Sequence, residues 1–268
     1  MMFAGLTSAN VLGVPLGTFL GQAAAGARPS GLSPPSALSP HRHHRLIPKD
    51  TARAHSTGSI LGEFRIFRSP QVWASILITI LGYGGMFGAF TYMAFTLTGV
   101  SGFAASTVPW LLVLFGVGLF VGNFLGGKAA DRNLGTTLLV LLIGLIVILA
   151  VFSQVAGSQI ATILALVLMG GFGFATVPAL QMRIMGHSQH AQTLGSGANI
   201  AAFNVGNAFG AWIGGLTIAA GFGYASPLWA GALVTLAGLV VFLIAGLSRG
   251  GELRRPAAVP SQPAEAVV

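Results

Sequence analysis

Long apolar runs dominate the chain after residue 70. None of the six runs contains Asp, Glu, Lys or Arg, and they cover about 72–97, 108–127, 136–153, 159–181, 197–219 and 228–247. A helix needs about 20 apolar residues to cross a bilayer, whereas strands of a membrane barrel show alternation over about ten residues. The pattern therefore predicts an all-α integral membrane protein with a bundle of six transmembrane helices.

The connections between the runs fall into two classes by charge. Those after the first, third and fifth runs contain no Lys or Arg. With six crossings, all the cations lie on one side of the membrane, which the positive-inside rule places in the cytoplasm. We expect a plasma (inner) membrane protein with both ends of the six-helix block cytoplasmic. The cations are Arg28, Arg42, Arg45, Lys49, Arg53, Arg65, Arg68, Lys128, Arg132, Arg183, Arg249, Arg254 and Arg255.

The composition agrees with a lipid environment. Charged residues make up 7% of the chain and hydrophobic residues 54%, whereas soluble domains carry about 25% charged residues. The bilayer is therefore an expected partner. A net charge of +8 would favour nucleic acid in a soluble protein, but here topology accounts for the cations, so no nucleic-acid partner is expected.

The sequence offers little chemistry for catalysis. It has no cysteine, and therefore no disulfide, thiolate nucleophile or cysteine metal site. We find no Ser-His-Asp set, P-loop or metalloprotease helix. HRHH at 41–44 resembles a His-rich tract that binds metal weakly, but one cluster without a scaffold is poor evidence for a site. His187 and His190 are interpreted as solvated. The sequence predicts a protein that is not an enzyme, with no cofactor and no metal.

The first 22 residues are apolar and contain a repeated glycine pattern. A signal peptide is disfavoured because there is no basic start and Pro15 interrupts the apolar stretch. The spacing G-x-x-x-G-x-x-x-G, which favours close helix packing, occurs here and again in the fifth run. Two copies suggest an internal duplication, although the spacing also arises by chance in glycine-rich helices. The two copies are Gly13, Gly17 and Gly21, and Gly206, Gly210 and Gly214.

Three charges cluster in the short connection GGKAADRNLG, at 126–135. This stretch resembles the loop signature of the major facilitator superfamily, G-x-x-x-D-R-x-G-R-[RK]. Gly127, Asp131 and Arg132 match in register, Gly135 is one residue late, and threonines replace the final basic pair. The segment GVPLG around Pro15 is similar to the proline–glycine motif in the fifth helix of the family's drug antiporters.

This resemblance implies a sugar-efflux or multidrug-efflux (drug:proton antiporter) type of facilitator. The six runs then correspond to the C-terminal six helices of the family, and residues 1–22 to its fifth helix. The implied function is efflux of a small molecule by alternating access, by a truncated or split transporter, with a second six-helix chain as a candidate partner. The alternative is a non-transporting membrane scaffold that assembles through glycine-rich helix faces.

The charged loop is a candidate conformational latch, formed by Gly127, Lys128, Asp131, Arg132 and Gly135. Asp131 can lie against a helix N-terminus, where the dipole stabilises an anion, and Arg132 can pair with it or with backbone carbonyls. Such contacts break and re-form when two bundles move against each other. The alternative is that the cations only fix topology.

A candidate substrate cavity comprises Tyr83, Phe87, Thr91, Asn199, Asn204 and Asn207. The aromatic residues Tyr83, Phe87 and Phe90 recur at i, i+4 and i+7, which is also typical of helix packing. The amides are costly in hydrocarbon without partners, so they bond between helices or contact substrate.

Arg183, at the end of the fourth run, is interpreted as a cation that snorkels to the membrane surface.

The chain divides into an apolar segment (1–22), a linker (23–70), the six-helix domain (71–248) and a cytoplasmic tail (249–268). The linker is rich in Pro and Ser and basic, which is typical of disorder.

If residues 1–22 cross the membrane, another span is needed before Ile60, and none exists. One hypothesis is a frameshifted sixth helix, since permitted codons for 28–39 encode an apolar run in another frame; the alternative is a natural linker.

Overall fold

The computed structural model describes residues 60–253, and this part of the chain is built from helices. Short helical turns at Ile60–Glu63 and Phe64–Arg68 come first. The six long helices are α1 (Pro70–Thr91), α2 (Val108–Arg132), α3 (Leu134–Val155), α4 (Gln159–His187), α5 (Gln192–Ala219) and α6 (Ser226–Leu247). A seven-residue helix, Met93–Gly99, continues the chain after α1, and 3₁₀ turns precede α2 and α5 (Ala105–Thr107 and Gln189–Ala191). The predicted all-α fold with six long helices is confirmed.

Five of the long helices are apolar and long enough to cross a membrane, namely α1, α2, α3, α4 and α6. The remaining helix, α5, has 28 residues, or about 42 Å at 1.5 Å per residue. That length also exceeds the hydrocarbon thickness of a bilayer, about 30 Å. Its glycines and its three asparagines make α5 less apolar than its neighbours.

Several helix starts follow from local sequence. Proline occupies the first turn of α1, α2 and α6, where its missing N–H costs no hydrogen bond. Asn133 separates α2 from α3 and caps α3, because its side-chain oxygen accepts a hydrogen bond from the Thr136 amide at 2.9 Å. The α2–α3 connection is therefore a single residue long.

The helices pack around α1 and α4. Helix α1 contacts α5 and α6, α2 packs along α4, and α3 lies against both α4 and α6. Buried aliphatic and aromatic side chains such as Ile78, Leu142, Leu166 and Phe242 fill the interior. Other large apolar side chains, including Ile160, stay exposed. Outward-facing apolar side chains of this kind fit contact with lipid.

The chain segments flanking the bundle are partly helical or folded back. The described part of the predicted linker, 60–69, forms helical turns, and Ile66 is buried against Val72 and Ala191. After α6, Gly250 has a left-handed backbone (φ +81°), and the Leu253 amide donates to the Gly246 carbonyl at 3.0 Å. The start of the predicted tail therefore lies against the bundle. The segment 1–22, most of the linker and the tail after 253 lie outside the described residues.

Candidate functional site

Six aromatic side chains from four helices form one cluster near the middle of the bundle. The shortest contacts join Tyr83 to Phe203, edge to face at 4.8 Å between ring centroids, and Phe90 to Phe115, stacked at 4.7 Å. We call this set the aromatic cluster: Tyr83, Phe87 and Phe90 on α1, Phe115 on α2, Phe174 on α4 and Phe203 on α5. The rings predicted on α1 are thus extended by partners from three other helices.

The aromatic cluster is only partly closed. Tyr83 is 6% exposed and Phe115 is also buried, whereas Phe87, Phe90, Phe174 and Phe203 are half-buried. The half-buried rings present apolar faces and edges, which suit contact with a flat lipophilic molecule. The same residues pack the helices and line an accessible surface. The two interpretations of the α1 aromatics, helix packing and lining of a substrate cavity, are therefore compatible.

The other candidate cavity residues differ in exposure. Thr91 and Asn204 are exposed, and each donates to a carbonyl one turn earlier on its own helix, Phe87 and Ile200 respectively, at 2.8 Å. Asn207 follows Phe203 by one turn, and positions four apart share a helix face. Its side-chain oxygen is buried and has no hydrogen-bond partner among residues 60–253. Asn207 therefore shares a face of α5 with Phe203 and carries a buried acceptor.

Asn199 belongs to a chain of hydrogen bonds between helices. Its oxygen accepts from the Thr79 hydroxyl of α1 at 2.8 Å, and its NH₂ group donates to the Gln181 side-chain oxygen of α4 at 2.8 Å. Gln181 in turn donates to Ser196 at 2.7 Å. Asn199 is fully buried, so its partners compensate the cost of placing an amide inside the bundle.

Gly206 and Gly210 lie where the backbone of α5 meets α1. A Cβ atom added at Gly84 would lie 2.6 Å from the Gly206 carbonyl oxygen, and one added at Gly210 would overlap the Gly84 carbonyl oxygen. One added at Gly214 would approach the Tyr92 ring at 2.9 Å. The absence of side chains at these positions is what permits the close contact. Gly13, Pro15, Gly17 and Gly21 lie outside the described residues.

The candidate latch lies mostly on the last turns of α2, which continues to Arg132. The ammonium of Lys128 lies 4.4 Å from the Phe124 ring centroid. Asp131 and Arg132 are exposed, and neither forms an ion pair within the described part of the chain. Because Asn133 caps α3, Asp131 is not the cap of that helix. Gly127 faces Pro178, and Gly135 is buried under Glu252.

Arg183 differs from its interpretation as a snorkelling cation. It is 1% exposed, because it lies a full turn before the end of α4 and points toward α1. Its guanidinium donates to the Ser75 hydroxyl at 2.5 Å and to the Gln71 side-chain oxygen at 2.8 Å. Its Nε atom is 3.1 Å from Glu252 Oε1, without a well-directed hydrogen bond between these two atoms. Its Nη2 atom donates to Glu252 Oε2 at 3.4 Å, so the ion pair includes one long hydrogen bond.

Glu252 connects the tail to α4 and was not singled out by the sequence. Its Oε1 atom lies 2.8 Å from His187 Nε2, so His187 is half-buried rather than fully solvated. Burial alone raises the pKa of Glu252, but the hydrogen bond with His187 and the positive charge of Arg183 outweigh it and lower that pKa below its ordinary value. We call this set of side chains the buried ion cluster: Gln71, Ser75, Arg183, His187 and Glu252.

Comparisons with known proteins agree with this architecture. Residues 72–267 match the family model of the Major Facilitator Superfamily. The chain is 40% identical over 247 residues to the inner membrane transport protein YdhP of Escherichia coli K12, covering 91% of the chain and 63% of the relative.

Two further relatives match a similar share of the chain. An uncharacterized MFS-type transporter of Bacillus subtilis, YfhI, is 35% identical, covering 92% of the chain and 62% of the relative. A chloramphenicol resistance protein of Streptomyces lividans is 30% identical, covering 90% and 63%. The chain thus spans a little over three fifths of the length of these relatives.

Proposed function

Because this chain belongs to the major facilitator superfamily, we propose that it forms the C-terminal half of an efflux transporter for a small lipophilic molecule in the inner membrane. The aromatic cluster carries this proposal, because it gathers rings from four helices and leaves four of them half-buried. A carrier, rather than an enzyme, fits both the family and the chemistry of these residues.

The composition of the cluster suggests what the substrate contacts. Aromatic rings bind flat apolar molecules by stacked and edge-to-face contacts. The unpartnered acceptor of Asn207 adds one polar contact for a substrate that donates a hydrogen bond. We infer that neutral aromatic molecules are bound better than charged ones, because no Asp, Glu, Lys or Arg belongs to the cluster.

Alternating access requires two bundles that move against each other around a central site. The described residues supply one bundle of six helices, so the proposed carrier works together with a second six-helix bundle. The exposed charges of Asp131 and Arg132 are the proposed contacts of the latch with that bundle. This assignment gives them partners that the described part of the chain does not supply.

The proposed orientation places the charged ends in the cytoplasm. Lys128, Arg132 and Arg183 then lie on the cytoplasmic side, in accordance with the positive-inside rule, and both ends of the six-helix block lie there too.

The scaffold alternative is less favoured, because Gly206 and Gly210 already contact α1 within this chain.

A dye-efflux assay tests the carrier proposal. The full chain is expressed in cells that lack their own dye efflux, alone and together with the N-terminal six-helix half of a relative. We expect efflux of a lipophilic dye in the paired cells, and a loss of at least several-fold in Phe203→Ala at equal expression. Phe120→Ala is the matched control, because Phe120 is an exposed phenylalanine of α2 outside the cluster. No efflux with or without the second half would favour the scaffold.

A further inference from the structure

An open cleft lies at one end of the bundle, away from the aromatic cluster. It has a volume of about 630 Å³ and is bounded by the helical turns before α1 and by the turn between α4 and α5. Its polar lining residues are Arg65, Ser69, His187, Ser188, Gln189 and His190. None of the functions proposed above uses this cleft.

The polar lining of the cleft consists largely of hydrogen-bond donors. Arg65 offers a guanidinium, His187 and His190 offer imidazoles, and Gln189 offers an amide, whereas no Asp or Glu lines the cleft. Glu63 precedes Arg65 by two residues and does not line the cleft, and Glu252 is engaged with Arg183 and His187. Arginine and other donors of this kind bind phosphate oxygens through charge-assisted hydrogen bonds.

Exposed aromatic side chains lie beside the cleft. Phe64 and Trp73 are 54% and 52% exposed, and Phe67 lies between them, 5.9 Å from the Trp73 ring. The Trp73 N–H donates to the Phe67 carbonyl at 2.8 Å, which fixes the indole against the turn. Tryptophan next to basic residues at the end of a spanning helix is typical of the membrane–water interface.

We propose that the cleft binds the phosphate group of an anionic phospholipid. Arg65 holds the phosphate, His190 and Gln189 donate to its remaining oxygens, and the acyl chains lie along the exposed faces of Phe64 and Trp73. Basic pockets at the ends of transmembrane helices bind lipid headgroups through this combination of charge and position. The site would fix the turns before α1 against the α4–α5 connection.

Native mass spectrometry on the full chain, purified and stripped of lipid, tests this site. The protein is titrated with phosphatidylglycerol, with phosphatidylcholine and with inorganic phosphate. We expect one tight phosphatidylglycerol site, with about tenfold weaker binding of phosphatidylcholine and of inorganic phosphate. Arg65→Gln should weaken phosphatidylglycerol binding about tenfold, because its charge-assisted hydrogen bonds to phosphate are lost.

Arg249→Gln is the matched control, because Arg249 is also an exposed arginine and does not line the cleft. An equal loss in this variant would show diffuse surface charge, and equal binding of the two lipids would show that the cleft does not select an anionic headgroup; either result would overturn the site. Inorganic phosphate that binds as tightly as phosphatidylglycerol would overturn the lipid as its ligand. If Arg65→Gln does not fold, His190→Ala serves as the test variant, with a smaller expected loss of about threefold, since it removes one donor.

Discussion

At the scale of single residues, Arg183 is a charge that depends on its partners. It is almost completely buried, and a buried charge that loses its counterion destabilises a protein strongly. We expect Glu252→Gln to lower the free energy of unfolding by about 1–3 kcal/mol, because Glu252 is partly exposed and the remaining hydrogen bonds of Arg183 stay in place. Thermal unfolding in detergent, followed by intrinsic fluorescence, measures this loss.

The control for this prediction is Arg249→Gln, which removes an exposed charge near the same tail and should change stability by no more than about 0.5 kcal/mol. Equal stability of Glu252→Gln and the unchanged protein would contradict the assignment of Glu252 as the counterion of Arg183.

The same pair predicts a dependence on pH. The pKa of Glu252 is lowered in the folded protein, so its carboxylate stabilises the fold above the ordinary glutamate pKa. This contribution is lost as the pH falls through the lowered value. The stability difference between the unchanged protein and Glu252→Gln should therefore be present above the ordinary glutamate pKa and shrink as the pH falls through the lowered pKa. Unfolding curves at a series of pH values measure this, and a difference that grows in acid would refute the sign.

At the scale of helices, the contact between α1 and α5 depends on glycine. A methyl group at Gly210 would overlap the Gly84 carbonyl, and forcing atoms into such a packed contact costs about 1–3 kcal/mol. We expect Gly210→Ala to lower the stability by that amount. Gly197→Ala is the control on the same helix, because an added methyl group there meets nothing within 4 Å, and it should be neutral or slightly stabilising. Thermal unfolding of both variants in detergent distinguishes them, and equal effects would contradict this role for Gly210.

The apolar runs predicted the existence and order of the six long helices, but not all of their ends. Helix α4 continues six residues past its predicted end at 181, to His187, and α5 begins at Gln192, before its predicted start at 197. The extension of α4 (182–187, MRIMGH) mixes apolar residues with Arg183 and His187, and that of α5 (192–196, QTLGS) is mostly polar or small. Such extensions are compatible with helical geometry, but they carry no continuous hydrophobic pattern from which the helix ends could be predicted.

The candidate site was predictable only where its residues share one helix. The spacing of Tyr83, Phe87 and Phe90 along the chain is enough to place them on one face of α1. Their partners on α2, α4 and α5 follow from tertiary packing, which a single sequence does not encode in a local pattern. For the same reason the sequence could not show that Arg183 turns inward to Gln71 and Glu252 rather than outward to the membrane surface.

At the scale of the whole molecule, the sidedness of the cations is open to a direct test, because the chain has no cysteine of its own. Gly157 lies in the α3–α4 connection and Gln189 in the α4–α5 connection, both exposed and separated by one span. We expect a membrane-impermeant maleimide to label Gly157→Cys in intact cells, and Gln189→Cys only after permeabilisation, because the proposed orientation keeps the basic connections in the cytoplasm. Labelling of both from outside would refute the single crossing by α4, and the reverse pattern would invert the proposed orientation.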